Sequence, residues 1–358
     1  MPFAASSRAA SVRLRCLLPA AWLSAHGCEA CVTGDPLSGR FDVVIFSKRY
    51  DAAARETARQ LKARDTRVIL DLCDNHFYND SADERLAKRR DDLLAMIDSV
   101  DLVTVSTPAL AEVVRNQSPS VPGIVVVPDP LEDLDELARR APLQEYAHWP
   151  LWLLWRARVR LLRNRNAVGL VWFGNHGVDY SQQGGMSDLV RIRSVLERLS
   201  RHYPLYLSII SNNHDRFAEV TRGWSIPCLY LPWRALYFGK ALRAHQIAVI
   251  PVENNPFTMC KTANRLALSL AQNLAVVADA IPSYEAFRDV AALDDWASGL
   301  ERYLKDPAAR ARDAAAGADR VAREFSPGTV AEAWLDAVRT TLELPAVHTR
   351  RALASVRN

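Results

Sequence analysis

At 358 residues the chain exceeds the ~250–300 residues at which a single core usually stops growing, so two domains are expected. Its composition, 49% hydrophobic and 24% charged, is that of ordinary globular protein and excludes extensive disorder. The 45 basic and 41 acidic side chains leave a formal charge of +4, too dispersed for the basic stripe of a nucleic-acid binder but suited to an anionic substrate.

From the N-terminus, Arg8, Arg13 and Arg15 precede the apolar run Cys16-Leu-Leu-Pro-Ala-Ala-Trp-Leu23. Pro19 breaks this run and no small-x-small cleavage site follows it, so it reads as a first strand and turn rather than a leader. Cys28-Glu-Ala-Cys31 is a lone CxxC without a second pair or a histidine at ligand spacing, and it reads as two core cysteines. The six cysteines together suit a reducing cytosol. Strand candidates follow at 12–18, 29–33, 42–47, 67–72, 101–106 and 123–127, separated by helical stretches at 52–63, 82–97 and from Pro108. This alternation is the mark of parallel α/β units.

Residues 131–166 lack strand character. They carry an acidic segment at 132–136 and then Trp149-Pro-Leu-Trp-Leu-Leu-Trp155 with Arg156, Arg158, Arg160, Arg163 and Arg165. The first reading is a basic helix at a domain junction. The alternative sets the tryptophans as aromatic anchors, with residues 149–165 making a peripheral membrane contact. No run reaches the ~18 apolar residues needed to span a bilayer.

A second strand series occupies 169–173, 205–211, 227–231, 247–251 and 274–278, with helices near 188–201, 236–244 and 260–271. After 286 only helical patterns remain, ending in an amphipathic stretch at 327–339. The expected organisation is an N-terminal Rossmann-like domain over 1–130, a linker over 131–166 and a C-terminal Rossmann-like domain over 167–325. A packed helix at 326–344 and a tail at 345–358 complete it.

In open parallel sheets ligands bind beyond the carboxyl ends of the strands, and that rule selects four polar loops. The most informative runs from Glu253-Asn254-Asn255 to Lys261, Asn264 and Arg265. On a helix Lys261 and Arg265 would share a face near the N-terminus, where unpaired N–H groups already favour anions. The expectation is a diphosphate clamp. Gly174-Asn175-His176-Gly177 and Ser211-Asn212 follow two strands of the same series and would line the ligand. In the first series Asp71, Asp74 and His76 follow a buried-looking strand, and Asp74 and His76 are the candidates for orienting or deprotonating a hydroxyl. Neither a GxGxxG nor a GxxxxGK[ST] pattern is present, which argues against a nicotinamide site or a P-loop.

These residues resemble the group-1-like GT-B glycosyltransferases of bacterial surface polysaccharide pathways. The likeness lies in Leu170-Val-Trp-Phe-Gly174, Leu207-Ser-Ile-Ile-Ser211, Ala248-Val-Ile-Pro251, Lys261-x-x-Asn264-Arg265, Leu274-Ala-Val-Val277 and Ile281-Pro-Ser-Tyr284. In the first half it is carried by Asp101-Leu-Val-Thr-Val-Ser106 and Val125-Val-Val-Pro128-Asp-Pro130. The resemblance implies an α/β fold of two Rossmann-like domains facing a cleft, with the C-terminal helix returning to the first domain. It implies a nucleotide-sugar donor on the second domain and a glycan or lipid-linked acceptor on the first. The cysteine usage fits a cytoplasmic setting, at the inner face of the membrane in the peripheral reading of residues 149–165.

Against the family pattern, the paired glutamates fall near Cys260 and Leu268 and no lysine follows Gly177. Lys261 and Arg265 are expected to replace the missing cations. Asp133-Leu-Asp135 reads as a solvated stretch, so no metal and no cofactor are assigned. The competing readings are a nucleotide-sugar epimerase of the same fold and a degenerate, noncatalytic sugar- or partner-binding copy.

Overall fold

In the computed structural model, residues 1–3, 9–79, 84–174 and 184–344 are described. The chain opens with α1 (Ala10–Val12), a π-helical turn (Arg13–Leu17) and α2 (Leu18–Ala25). The first sheet follows: β1 (Val43–Ser47), α3 (Ala52–Lys62), β2 (Arg67–Leu72), α4 (Glu84–Ile97), β3 (Leu102–Val105), α5 (Pro108–Gln117) and β4 (Ile124–Val126). Its strands run parallel in the order β1-β2-β3-β4. Side-chain caps set the helix starts. Asp51 accepts from the Ala54 amide and Thr107 from the Leu110 amide, each satisfying a donor that the first turn leaves unpaired.

The strands expected at 12–18 and 29–33 are absent. Residues 10–25 are helical and 29–33 hold no regular element. The physical reason is composition: alanine, leucine and arginine favour helix, and a short apolar run does not by itself distinguish the two periods. Cys28 is half-buried and Cys31 exposed, so the pair does not sit in a core as expected.

Helices α6 (Leu134–Arg139) and α7 (Trp149–Arg163) then lead to the second sheet. That sheet comprises β5 (Val168–Phe173), α8 (Leu189–Leu199), β6 (Leu205–Ser211), α9 (His214–Val220), β7 (Cys228–Pro232), α10 (Ala235–Leu242) and β8 (Ile247–Ile250). It continues with α11 (Asn264–Ala271), β9 (Ala275–Ala278) and β10 (Ala292–Leu293), and α12 (Trp296–Lys305), α13 (Pro307–Glu324) and α14 (Pro327–Glu343) follow. The strand order β10-β9-β8-β5-β6-β7 reverses between β5 and β8, which is the doubly wound Rossmann arrangement with its switch point there. Strand β10 leaves no mark in the sequence pattern, because two residues are too few to show a period.

Strands buried on both faces explain the continuous apolar runs. Every residue of β6 and β8 is buried. Helix α14 packs on the first sheet, not the second: Val330, Trp334 and Ala337 share a buried cluster with Ile69, Leu102 and Val127. Together the two parallel sheets and the returning helix make the expected α/β architecture.

Candidate active site

The carboxyl end of the first sheet is closed by one buried arginine. Arg15 donates from Nη2 to Asp71 Oδ1 at 2.5 Å and from Nε to Oδ2 at 3.3 Å, and its Nη1 reaches the Val127 carbonyl at 2.5 Å. Asp71 also accepts from Ser47 and Thr104 hydroxyls at 3.0 Å each, so residues from β1, β2 and β3 meet on it. The guanidinium lies 4.9 Å from the Trp334 ring centroid, tying α14 to the same knot. Asp71, grouped by sequence with Asp74 and His76, therefore has a structural duty.

Asp74 faces the cleft instead. Its Oδ2 accepts from Lys48 Nζ at 2.5 Å, and its Oδ1 accepts from Lys261, which belongs to the opposite half of the molecule. Burial works against the Asp74 charge, but Lys261 and Lys48 outweigh it and hold the carboxyl well below the usual range. An acid so strongly held in its ionised form is a weak proton acceptor. Lys48 follows β1 directly with φ 54°, a left-handed conformation that costs energy in a non-glycine residue and aims the side chain into the cleft.

His76 is buried beside it. Arg89 Nη2 lies 2.8 Å from His76 Nε2, and Tyr50 Oη lies 2.9 Å from Nδ1. A guanidinium only donates, so Nε2 accepts and the ring proton belongs on Nδ1, which donates to the tyrosine oxygen. Arg89 Nε also donates to that oxygen at 2.6 Å. Burial pushes the imidazole well below its ordinary value, and both nitrogens are engaged. This geometry suits positioning of Tyr50 and Arg89 better than proton exchange with a substrate. Beside these groups is a cavity of about 450 Å³ lined by Lys48, Arg49, Tyr50, Arg85, Lys88 and Arg89, with Asp51 and Asp92 as its acids.

On the second sheet Lys261 and Arg265 are arranged differently from the expectation. Helix α11 begins at Asn264, and Lys261 stands outside it in extended backbone, φ −66° and ψ 149°. Lys261 and Arg265 therefore do not share a helix face. The cause is local hydrogen bonding: Asn255 Oδ1 accepts from the Phe257 and Thr258 amides at 3.0 and 2.9 Å, and the Thr258 hydroxyl donates to the Glu253 carbonyl. This turn competes with helix and delays its start. Asn255 is thus engaged in shaping the loop, and Glu253 supplies it a backbone carbonyl.

Arg265, in the first turn of α11, reaches the switch point. Its Nη1 lies 3.6 Å from where a Cβ on Gly174 would sit, and it lies against the buried Tyr284 hydroxyl. Gly174 has φ 156° at the end of β5, a conformation that side chains rarely adopt. Asn175 and His176 lie outside the described residues. Asn264 opens α11 at the same end. Ser211 ends β6, one strand away from the switch point, and its hydroxyl is buried without a hydrogen-bond partner among the described residues. Asn212 follows it, 3.5 Å from Arg234 Nη1.

Sequence reasoning missed Asp188. It is 4% exposed at the start of α8, and burial pushes its carboxyl up to about 6 against the opposing pull of Arg265. Lys48 was within reach of the strand-end rule, since it directly follows β1. Arg15 and Arg89 sit inside helical turns, and nothing local in their sequence marks them. Among the described residues no group of three or more His, Cys, Asp or Glu side chains could hold a metal ion. Asp133 caps α6, and Asp135 pairs with Arg243 at 2.6 Å.

The segment 256–262 joins the halves at the carboxyl ends of their sheets. Asn75 Nδ2 donates to the Pro256 carbonyl at 2.9 Å, Thr107 to the Cys260 carbonyl at 3.1 Å, and Thr262 to Asp129 Oδ2 at 2.9 Å. The carboxyl ends of both sheets thus face each other across this contact, with Lys48, Lys261 and Arg265 around it. Known structures with this arrangement include the sucrose-phosphate synthase of Thermosynechococcus elongatus, at TM-score 0.60 and 15% identity over 84% of this chain and 73% of that one. A glycosyltransferase from Rickettsia africae ESF-5 matches at TM-score 0.59 and 11% identity over 96% and 85%. A trehalose-6-phosphate structure from E. coli bound with UDP-2-fluoro glucose matches at 0.57 and 16% over 87% and 75%. The fold is GT-B. No family model and no curated protein matches the sequence. The GT-B likeness thus lives in the backbone.

Proposed function

We propose that the chain transfers a hexosyl group from a nucleoside-diphosphate sugar to a hydroxyl acceptor. One observation carries the reading: the cations Lys48, Lys261 and Arg265 gather where the carboxyl ends of two Rossmann-like sheets face each other. The donor's diphosphate would lie at the switch point by Gly174, on the N-terminal turn of α11, where Arg265 and the helix dipole favour anions. Asn264, Ser211, Asn212 and Glu253 would line the nucleotide and sugar around it. Lys261 would leave Asp74 for the diphosphate and neutralise charge developing on the leaving group. No metal or cofactor is assigned a step.

The acceptor would occupy the cavity above Tyr50 and Arg89. Its basic lining suits an acceptor that carries a phosphate or another anionic group, and His76 would hold both side chains in place. Asp74 would orient the acceptor hydroxyl rather than act as a strong base. A glycan or glycolipid of a polysaccharide pathway in the cytoplasm fits this reading, and a lipid-linked acceptor would require work at a membrane surface.

Titration calorimetry with uridine, guanosine and adenosine diphosphates and their sugars tests the donor site. Lys261→Ala and Arg265→Ala are each expected to weaken the preferred nucleotide about tenfold, as loss of a charge-assisted contact should. Unchanged affinity in both variants would remove the assignment. The Lys48–Asp74–Lys261 cluster also favours a second reading, a noncatalytic binding copy, because it leaves Asp74 a weak base and Lys261 already paired. Tight nucleotide-sugar binding with neither transfer nor hydrolysis would select it.

A further inference from the structure

Helix α7 is apolar on two opposite faces. Trp152, Trp155 and Val159 are buried, the Trp152 ring stacks on Tyr237 with centroids 5.3 Å apart, and all three join the core of the second sheet. Trp152 and Trp155 are therefore not free to act as aromatic anchors, the alternative that the sequence left open. At about 100° per residue the face opposite them holds Leu153, Leu154, Ala157 and Leu161. The three leucines are 47%, 53% and 54% exposed. A helix on the outside of a globular protein normally turns polar residues outward, and a continuous apolar stripe there marks an interaction site.

The borders of the stripe name the partner. Arg156, Arg160 and Arg163 lie along one side, Arg158 along the other and Arg165 just past the helix end, and all five are exposed. No acidic residue occurs between Glu145 and Asp179 in the sequence, so nothing on the helix balances that charge. Leu143 and Tyr146, just before α7, are exposed as well. Leucines between two rows of arginine seat a helix in a headgroup layer. The apolar groups reach the acyl boundary, the arginine stems extend back along it, and the guanidinium heads meet lipid phosphates. We infer that this face docks on an anionic bilayer surface with α7 lying in the membrane plane. A second copy of the chain would cover the leucines too, but it would press two sets of five arginines together, a repulsion that anionic lipid removes.

The inference stands on α7 alone and does not need the transferase reading. Its test is co-sedimentation of the full chain with vesicles of phosphatidylcholine, alone or mixed with phosphatidylglycerol. Binding to the mixed vesicles is expected, weaker by about tenfold on neutral ones and reduced by added salt. Joint replacement Leu153→Ser, Leu154→Ser and Leu161→Ser should lower binding about tenfold or more. The same variant should keep its melting temperature and nucleotide affinity, because these side chains lie outside the core. Joint replacement of Arg156, Arg158 and Arg160 by Gln should remove the preference for anionic vesicles. A wild-type chain that stays in the supernatant with anionic vesicles overturns the proposal. So does a leucine variant that still pellets fully. A concentration-dependent dimer that disappears with the leucines, seen by light scattering, would assign the face to a second copy instead.

Discussion

Asp188 illustrates how a single buried acid can cost stability. Its carboxyl titrates at about 6 in the folded chain against 3.8 in the reference state. Between those values the folded state holds a proton that the unfolded chain has released, so stability falls as pH rises from about 4 to about 6 and stays lower above that. A shift of this size corresponds to about 3 kcal/mol. Asp188→Asn is expected to raise stability at pH 7 by about 1–3 kcal/mol and to make no difference below about pH 4, a contrast that urea denaturation at both values measures. A variant no more stable at pH 7 would show that Arg265 compensates the charge fully. Arg15 shows the opposite balance: buried completely, it is matched by Asp71 and by the Val127 and Pro128 carbonyls.

At the scale of elements, α7 divides its work between faces. Trp155→Ala should open a cavity in the core of the second sheet and cost about 3–5 kcal/mol, read by chemical denaturation. Serine at the exposed Leu154 should stay within about 0.5 kcal/mol. Equal effects at the two positions would mean that the leucine face is also packed. Helix α11 makes a different point. Its start at Asn264 is decided by the Asn255 turn, and that delay sends Lys261 across the cleft while Arg265 stays at the switch point.

For the whole molecule, the segment 256–262 is the bridge between the sheets, and its lysine pairs with Asp74 of the other half. If a bound diphosphate must take Lys261 from Asp74, then Asp74→Asn should raise nucleotide affinity about three- to tenfold by releasing it. Transfer to an acceptor should fall in the same variant. Calorimetry and a product assay separate the two effects, and an affinity that drops would place Asp74 on the donor side. Helix α14 adds a second tie, since Trp334 is buried against the first sheet and under Arg15, although the chain reaches it only after the second sheet is complete.

Most of the strands were legible because parallel strands buried on both faces must be continuous apolar runs, and the helices between them show their period. The run at 10–25 reads as a first strand because it is short and apolar, whereas it is helical and Arg15 is the plug of the first sheet. The carboxyl-end rule picked out Gly174, Ser211, Asp74 and the loop from Glu253, all of which lie at strand ends in the structure. It selected the loop that carries Lys261 and Arg265 but not how the two are arranged. Asp188, Arg89 and Tyr50 carried no local signal, because their environment comes from residues distant in sequence.

What the sequence determined by itself is therefore the architecture: periodicity and apolar burial act over a few neighbouring residues and are written locally. Only the tertiary structure decided which charges meet. Asp74 finds Lys261 187 positions away, Arg15 finds Asp71 56 positions away, and the α7 tryptophans turn inward while its leucines stay out. Electrostatic pairing and the choice of buried face depend on distances that exist only once the chain has folded.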